Sequence, residues 1–191
     1  MRVAFTGSQG VGKTTLASYA RDFLTSSGDT VNLLGSYTRP LRERGVESPL
    51  LELACAVNRH VDWTVPHTED HLVTERTAID ELVYGAGQLT TIEEDTISML
   101  AQEELLDLDL LFYKPPHPDY PPVDDGMRTS SVKYQTEIDL RFKSILFRGT
   151  SSLFMPAQLN FIPLSVDLEV AKSEVIIHMS SLLDTPGSLE G

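Results

Sequence analysis

Residues 1–15 read MRVAFTGSQGVGKTT and contain the strongest pattern in the chain. The run from Arg2 to Thr6 is short and apolar, which is typical of a buried strand, and a glycine-rich turn follows it. From Lys13 the apolar residues recur at helical spacing until Gly28 (Leu16, Ala20, Phe23 and Leu24). Because a second apolar strand comes next, the order predicts a βαβ unit and therefore a parallel sheet.

The glycine-rich turn fits the phosphate-binding pattern G-x-x-x-x-G-K-[ST] without a mismatch. In that pattern glycines let the backbone curl so that successive N–H groups point inward, and the helix that follows adds the positive end of its dipole. Lys13 then contacts the β- and γ-phosphates, and the Thr14 hydroxyl is a ligand of Mg²⁺. We therefore expect ATP and Mg²⁺ to bind at Gly7, Ser8, Gln9, Gly10, Val11, Gly12, Lys13, Thr14 and Thr15.

The rest of the chain alternates between short apolar runs and helical patterns. Further strands are predicted at 31–34, 71–74, 109–113 and 159–164. In the last of these, Pro163 indicates either a sheet edge or the end of the strand. Helices are predicted at 50–61, 78–87, 91–106 and 167–183, and around Ile138, Phe142, Ile145 and Leu146. In the last of these along the chain, Val170, Ala171, Val175 and Met179 are expected to face the core. Pro40 is expected to prevent a helix in 36–45, and Thr91 with Glu94 fits a capping box. Together these patterns predict an α/β fold with a parallel five-stranded sheet flanked by helices.

Length and composition favour one domain of a soluble protein. The 191 residues suit a single domain at 1–185, with a loop rich in Pro, Asp and Gly at about 115–131 and a frayed tail at 186–191. Because Met1 and Arg2 lead directly into the first predicted strand, we expect no leader, and no apolar run approaches the roughly 18 residues that span a bilayer. The single cysteine, Cys55, rules out an internal disulfide, so we expect a cytoplasmic protein. The net charge of −13 disfavours DNA and anionic membranes as partners, because an acidic surface repels both.

An acidic and a basic residue follow the third predicted strand, in the segment Thr74-Glu75-Arg76-Thr77. The carboxyl end of a strand beside the glycine-rich turn is close to the bound phosphates. Glu75 can hold Mg²⁺ or its water ligands, and Arg76 can neutralise charge on the transferring phosphoryl group. The Asn-Lys-x-Asp element of switch GTPases and the long acid-terminated strand of motor ATPases are both absent from the sequence.

Several short segments follow the turn in a fixed order, and with it they span most of residues 1–148. They are Thr38-Arg39-Pro40, then Glu75-Arg76-Thr77 with Asp80 and Tyr84, then Gln88, and then Asp125-Gly126-Met127-Arg128. In this order they resemble the thymidylate kinase and deoxynucleoside kinase branch of P-loop kinases, and the related phage-encoded nucleotide kinases. The resemblance implies a three-layer P-loop NTPase fold with a lid loop. Related kinases are often dimers, so it also allows a homodimer.

The same resemblance assigns roles to individual residues. Arg39, Asp80, Tyr84 and Gln88 are expected to bind the second substrate. Lys13, Arg76, Arg128 and Glu75 are expected to be catalytic, with Arg128 in the lid contacting the γ-phosphate and with Thr14 and Glu75 as the metal ligands. An ATP-dependent phosphotransferase is the activity that these roles imply.

The nature of the acceptor follows from a departure from the family pattern. Deoxynucleoside kinases have a glutamate at the end of the second strand that acts as base for a hydroxyl, whereas this chain has Gly35-Ser36-Tyr37-Thr38 there. Thymidylate kinases have an acid between Arg and Pro, whereas Arg39 is followed directly by Pro40. A phosphate acceptor is already ionised and needs positive charge rather than a base, so a (deoxy)nucleoside monophosphate is preferred. A hydroxyl acceptor (a nucleoside, nicotinamide riboside or a hydroxymethylated base in DNA) and a nucleotide-binding module without kinase activity are the alternatives.

Overall fold

A computed structural model describes residues 1–47, 50–65, 70–119, 131–148 and 155–184, except for the side chains of Arg39 and Arg148. The strands are β1 (Arg2–Thr6), β2 (Val31–Leu34), β3 (His71–Thr74), β4 (Leu110–Tyr113) and β5 (Asn160–Pro163). The helices are α1 (Lys13–Ser26), α2 (Thr38–Glu43), α3 (Leu50–Thr64), α4 (Ala78–Gly85), α5 (Thr91–Asp107), α6 (Val132–Arg148) and α7 (Leu168–Leu183). No helix within these ranges is both long enough and apolar enough to cross a membrane.

The five strands form one sheet in the order β2-β3-β1-β4-β5, and every neighbouring pair is parallel. β1 is the central strand: its Val3 lies opposite Val73 of β3 on one side and Leu110 of β4 on the other. β5 is an edge strand that ends at Pro163, as its sequence predicted. The predicted α/β fold with a parallel five-stranded sheet is confirmed.

Helices cover both faces of the sheet because the central strands are apolar on both sides. Val3 and Phe5 of β1 pack with α1 and α7, and the Phe5 ring stacks on Phe112 with 5.2 Å between the ring centroids. Ala4 faces the other way and packs with α3, α4, α5 and α6. Strands buried on both faces have near-continuous apolar sequences, and β1 and β4 match that description.

This arrangement opens a crevice beside the central strand. After β1 the chain enters α1 on one face of the sheet, and after β3 it enters α4 on the other face. The two connections therefore separate at the carboxyl ends of two adjacent strands. Ligands of open parallel sheets bind in crevices of this kind.

Three local predictions were wrong. Pro40 does not prevent a helix, because it is the third residue of α2 and lies in the first turn, where backbone N–H groups need no partner. The capping box of α5 uses Thr90 and Glu93 rather than Thr91 and Glu94, since Thr90 is the residue whose backbone is still extended. Val170 of α7 was expected in the core but is 48 % exposed.

Candidate functional site

The glycine-rich loop between β1 and α1 has a backbone that other residues would strain. Gly7, Gly10 and Gly12 have φ angles of 139°, 74° and 93°. A Cβ atom added to Gly7 would also lie 2.3 Å from the carbonyl oxygen of Lys114, which is much closer than any van der Waals contact. The loop therefore requires glycine at these positions, as the motif predicts.

Lys13, the first residue of α1, is folded back against this loop. Its side chain is buried, and its Nζ donates to the carbonyl oxygens of Gly7 at 2.5 Å and Ser8 at 2.7 Å. An ammonium group and the positive end of a helix dipole are thereby held together at the carboxyl end of β1. This is an environment that favours an anion.

A pocket of about 260 Å³ opens next to this loop. The loop and the first turn of α1 supply most of its lining, and Ser36, Glu75 and Arg76 supply the rest. Ser36 follows β2, whereas Glu75 and Arg76 follow β3, so three adjacent strands contribute to one pocket at their carboxyl ends. The predicted catalytic residues Lys13, Glu75 and Arg76 thus come together.

Thr14 and Glu75 meet in the pocket, where the Thr14 hydroxyl donates a hydrogen bond to Glu75 Oε2. The other carboxylate oxygen faces the end of β2: a Cβ atom at Gly35 would lie 3.7 Å from it. The two residues predicted to ligate the metal are therefore neighbours, and both offer oxygen atoms.

Arg76 lies over an aromatic ring instead of beside an acid. Its guanidinium carbon is 5.3 Å from the centre of the Tyr84 ring, a distance typical of cation–π contacts. Within the described parts of the chain, no carboxylate lies within 4.0 Å of this guanidinium. The Tyr84 hydroxyl donates to Oε1 of Gln9 at 3.1 Å, so ring and guanidinium are both tied to the glycine-rich loop.

Asp80 is buried below the pocket and acts as a cap. Its Oδ2 accepts hydrogen bonds from the Thr6 hydroxyl at 2.8 Å and from the Thr77 backbone N–H at 3.1 Å. These bonds join the end of β1 to the start of α4. Burial raises the pKa of Asp80, and the nearby charges of Lys13 and Arg76 oppose that change. Its predicted contact with a substrate stays a prediction.

Three further predicted site residues are Gln88, Arg39 and Arg128. Gln88 is exposed beyond the end of α4 and does not line the pocket. Arg39 lies in α2, close in sequence to the pocket residue Ser36, but its side chain is not among those the structure describes. Arg128 lies outside the described residues.

Sequence reasoning missed a buried ion pair behind the pocket. Arg59 of α3 is 0 % exposed and makes two hydrogen bonds of 2.8 Å to Glu81 of α4. Glu104 of α5 is also fully buried and accepts a 2.7 Å hydrogen bond from the N–H of Ala78. Charged residues within amphipathic helices are usually solvent-exposed, so nothing in the sequence marked these three as partners.

The residues that line the pocket suit a nucleotide and Mg²⁺. Two buried polar atoms of the loop, Oγ of Ser8 and Nε2 of Gln9, have no hydrogen-bond partner. Thr14 and Glu75 provide the hard oxygen atoms that Mg²⁺ prefers, and a Mg²⁺ ion that also contacts phosphates needs few protein ligands. Among the residues that the structure describes, no group of three or more His, Cys, Asp or Glu side chains is arranged to hold a metal ion.

Comparison with known proteins does not assign this chain to a family. No protein-family model matches the sequence, and no curated protein matches it.

Proposed function

We propose that this chain is a P-loop kinase that transfers the γ-phosphate of ATP to a (deoxy)nucleoside monophosphate. The observation that carries the proposal is the meeting of Lys13, the Thr14–Glu75 pair and Arg76 in one pocket next to a glycine loop with three positive φ angles. The central parallel sheet with helices on both faces is compatible with the three-layer P-loop fold.

The loop would bind the triphosphate of ATP. Backbone N–H groups from Gly10 to Thr15 would donate to phosphate oxygens, and the N-terminus of α1 would add its dipole. Lys13 would exchange its present carbonyl partners, Gly7 and Ser8, for phosphate oxygens. These interactions position the γ-phosphorus and stabilise the negative charge around it.

Thr14 and Glu75 would hold Mg²⁺ at the β- and γ-phosphates. When bound, the ion withdraws negative charge from the phosphate oxygens and makes the γ-phosphorus more electrophilic. Thr14 already donates its proton to Glu75, so its oxygen lone pairs remain free to bind a cation. Glu75 thus orients the hydroxyl and adds a negative charge that favours the cation.

Arg76 would bring the acceptor to the γ-phosphate. An oxygen of the acceptor monophosphate attacks the γ-phosphorus in line, the bond to the β–γ bridging oxygen breaks, and ADP leaves. An ionised acceptor needs no base but does need a cation. Among the described residues no carboxylate lies within 4.0 Å of the Arg76 guanidinium, so its N–H groups can donate to the acceptor phosphate. Arg39 and Arg128 are proposed to assist with further positive charge.

An acceptor panel tests this proposal. Purified protein is incubated with ATP, Mg²⁺ and one of several nucleosides or nucleoside monophosphates, and ADP release is measured. We expect at least one monophosphate to accelerate ADP release well above the rate without acceptor. Lys13→Ala should reduce that rate by about three orders of magnitude while leaving the unfolding transition in place, because its charge acts in the transition state. ADP release that no acceptor stimulates would contradict the proposal.

A hydroxyl acceptor is the second candidate, and one observation favours it. Glu75 follows β3, but its carboxylate faces Gly35 at the end of β2, where deoxynucleoside kinases have their base for a hydroxyl. Nucleosides in the same panel, including nicotinamide riboside, test this candidate. Transfer of labelled phosphate to DNA that contains hydroxymethylated bases tests whether such a base is the acceptor. Stimulation by a nucleoside alone would replace the monophosphate proposal with this one.

A further inference from the structure

A glutamine on α6 contacts the glycine-rich loop across 126 positions of the chain. Gln135 Nε2 donates a 2.8 Å hydrogen bond to the backbone carbonyl oxygen of Gln9. Gln135 is 4 % exposed and does not line the pocket. It therefore acts on the pocket through the loop and not on a ligand directly.

This bond determines which way one peptide group of the loop faces. A peptide bond is planar and trans, so the carbonyl of Gln9 and the N–H of Gly10 point in opposite directions. Because Gln135 holds the carbonyl towards α6, the Gly10 N–H is directed away from that helix. Gly10 lines the pocket, and no hydrogen bond within the described parts of the chain uses its N–H. It is therefore available to donate to a phosphate oxygen.

The position needs such a restraint because the peptide can easily rotate. Gly10 has a φ of 74°, and glycine moves between positive and negative φ at little cost. If the peptide rotated, the Gln9 carbonyl oxygen would face the pocket and repel phosphate. The Gln9 side chain is restrained as well, since Tyr84 of α4 donates to its Oε1 at 3.1 Å. Two helices thus fix one loop residue, one through its backbone and one through its side chain.

We propose that Gln135 is a positioning residue for polyphosphate binding, which keeps the Gln9–Gly10 peptide oriented with its N–H available to the ligand. The inference rests on the proposed function because it takes a nucleoside triphosphate as the ligand. It adds a role for α6, a helix that provides no residue to the lining of the pocket.

Two variants and one matched control test the role of Gln135. Gln135→Leu removes the donor, and Gln135→Glu keeps the shape but places an acceptor against the Gln9 carbonyl. Tyr113→Phe is the control, because it removes another buried hydrogen bond of the same helix, from the Tyr113 hydroxyl to Asp139, which does not involve the loop. ATP binding with Mg²⁺ is measured by calorimetry for all four proteins, and the free energy of unfolding is measured in urea.

The Kd for ATP should rise about tenfold in Gln135→Leu and at least as much in Gln135→Glu, and it should stay unchanged in Tyr113→Phe. In the transfer assay the KM for ATP should rise while kcat at saturating ATP changes little. The NMR shift of the Gly10 amide on adding ATP should be smaller in both Gln135 variants. A helix that merely stabilises the fold would not produce this division between KM and kcat.

Unchanged Kd values in both Gln135 variants would overturn the inference, and so would equal weakening in all three variants. The proposed function fails separately, when wild-type protein binds ATP but no acceptor stimulates ADP release. Wild-type protein that binds no ATP would overturn both.

Discussion

Thr14 and Glu75 are 61 positions apart and share a hydrogen bond at the mouth of the pocket. Glu75 is the carboxylate in the lining, since the other lining residues are glycines, hydroxyl residues, Gln9, Val11 and the two cations. The lining thus carries one negative charge, on Glu75, and two positive charges, on Lys13 and Arg76, so it favours a ligand that carries negative charge. An ionised phosphate with a divalent cation suits that balance.

Replacing Glu75 with glutamine should weaken Mg²⁺ binding. The amide keeps the size of the side chain and can still accept from Thr14, but it lacks the negative charge that favours a cation. We expect the Mg²⁺ concentration that gives half-maximal ADP release to rise about tenfold or more, as for other groups that orient metal ligands. Glu43→Gln is the control, because Glu43 is exposed on α2 and outside the pocket. An unchanged Mg²⁺ dependence in Glu75→Gln would show that Glu75 has another role.

The environment of Arg76 differs from that of a typical buried arginine. Its guanidinium rests on the Tyr84 ring, so its hydrogen-bond donors remain available to a ligand. Sequence reasoning expected Tyr84 to contact the second substrate. In the structure the Tyr84 ring lies against the Arg76 guanidinium, and the Tyr84 hydroxyl donates a hydrogen bond to Gln9. Any effect of Tyr84 on a substrate therefore acts at least in part through these two residues.

At the scale of helices, one buried ion pair joins the elements behind the pocket. Arg59 of α3 pairs with Glu81 of α4, and the buried carboxyl group of Glu104 of α5 lies nearby. The centre of the Tyr37 ring lies 5.9 Å from the Arg59 guanidinium carbon, so the segment after β2 also contacts this ion pair. Because α4 follows directly from Arg76 and Thr77, the ion pair also supports the side of the pocket formed by β3.

Removing Arg59 alone should destabilise the protein strongly. Arg59→Met leaves Glu81 buried without a partner, and we expect the free energy of unfolding to fall by about 3–5 kcal/mol. Replacing both Arg59 and Glu81 with apolar residues should cost clearly less, because no uncompensated charge is left inside. Urea unfolding of the single and double variants measures both values.

A surface pair provides the comparison for this prediction. Arg21 and Asp22 are 2.6 Å apart, and their side chains are 40 % and 65 % exposed. Arg21→Met should therefore change the free energy of unfolding by less than about 1 kcal/mol. The prediction for Arg59 is wrong if the double variant loses as much stability as the single one.

At the scale of the whole molecule, several acids are buried in a protein with a net charge of −13. Burial raises the pKa of Glu104 from its ordinary value of 4.5 to about 7, and the nearby charge of Arg59 limits the rise. Asp80 and Glu81 of α4 add negative charge that raises it further. The uncharged form of Glu104 is therefore favoured by folding.

The stability of the protein should fall as the pH rises through this range. Between about pH 4.5 and 7 the folded state retains a proton on Glu104 that the unfolded chain has lost. Each rise in pH therefore lowers the free energy of unfolding, until Glu104 ionises in the folded state near pH 7. This change in the pKa of Glu104 corresponds to about 3 kcal/mol of the free energy of unfolding, which is lost as the pH rises from 4.5 to above 7.

Glu104→Gln isolates this effect, because glutamine keeps the oxygen that accepts from Ala78 but cannot ionise. In urea unfolding the variant should match wild type near pH 5 and exceed it by up to about 3 kcal/mol at pH 8. Glu94→Gln, an exposed position on the same helix, should differ from wild type equally at both pH values. A constant difference between Glu104→Gln and wild type would contradict the assignment.

The sheet and most helices were predictable because their signals are local. The apolar runs of β1 to β5 and the helical spacing in α1 and α6 lie within the elements themselves. The failures were local too: Pro40 lies in the first turn of α2, where proline is tolerated, and the cap of α5 depends on which threonine stays extended. Of the residues that line the pocket, Lys13 and Thr14 were predicted from the glycine-rich motif, and Glu75 and Arg76 from their position directly after β3.

The glycine-rich motif and the start of α1 can be recognised from neighbouring residues, because positive φ angles and helix starts depend largely on interactions within a few positions. The contacts that complete the pocket depend on tertiary structure: Glu75 with Thr14, Gln135 with Gln9, and Arg59 with Glu81. Each of these forms only after the strands adopt the order β2-β3-β1-β4-β5 and the helices cover both faces. That order results from the summed burial of many apolar side chains, which no short segment encodes.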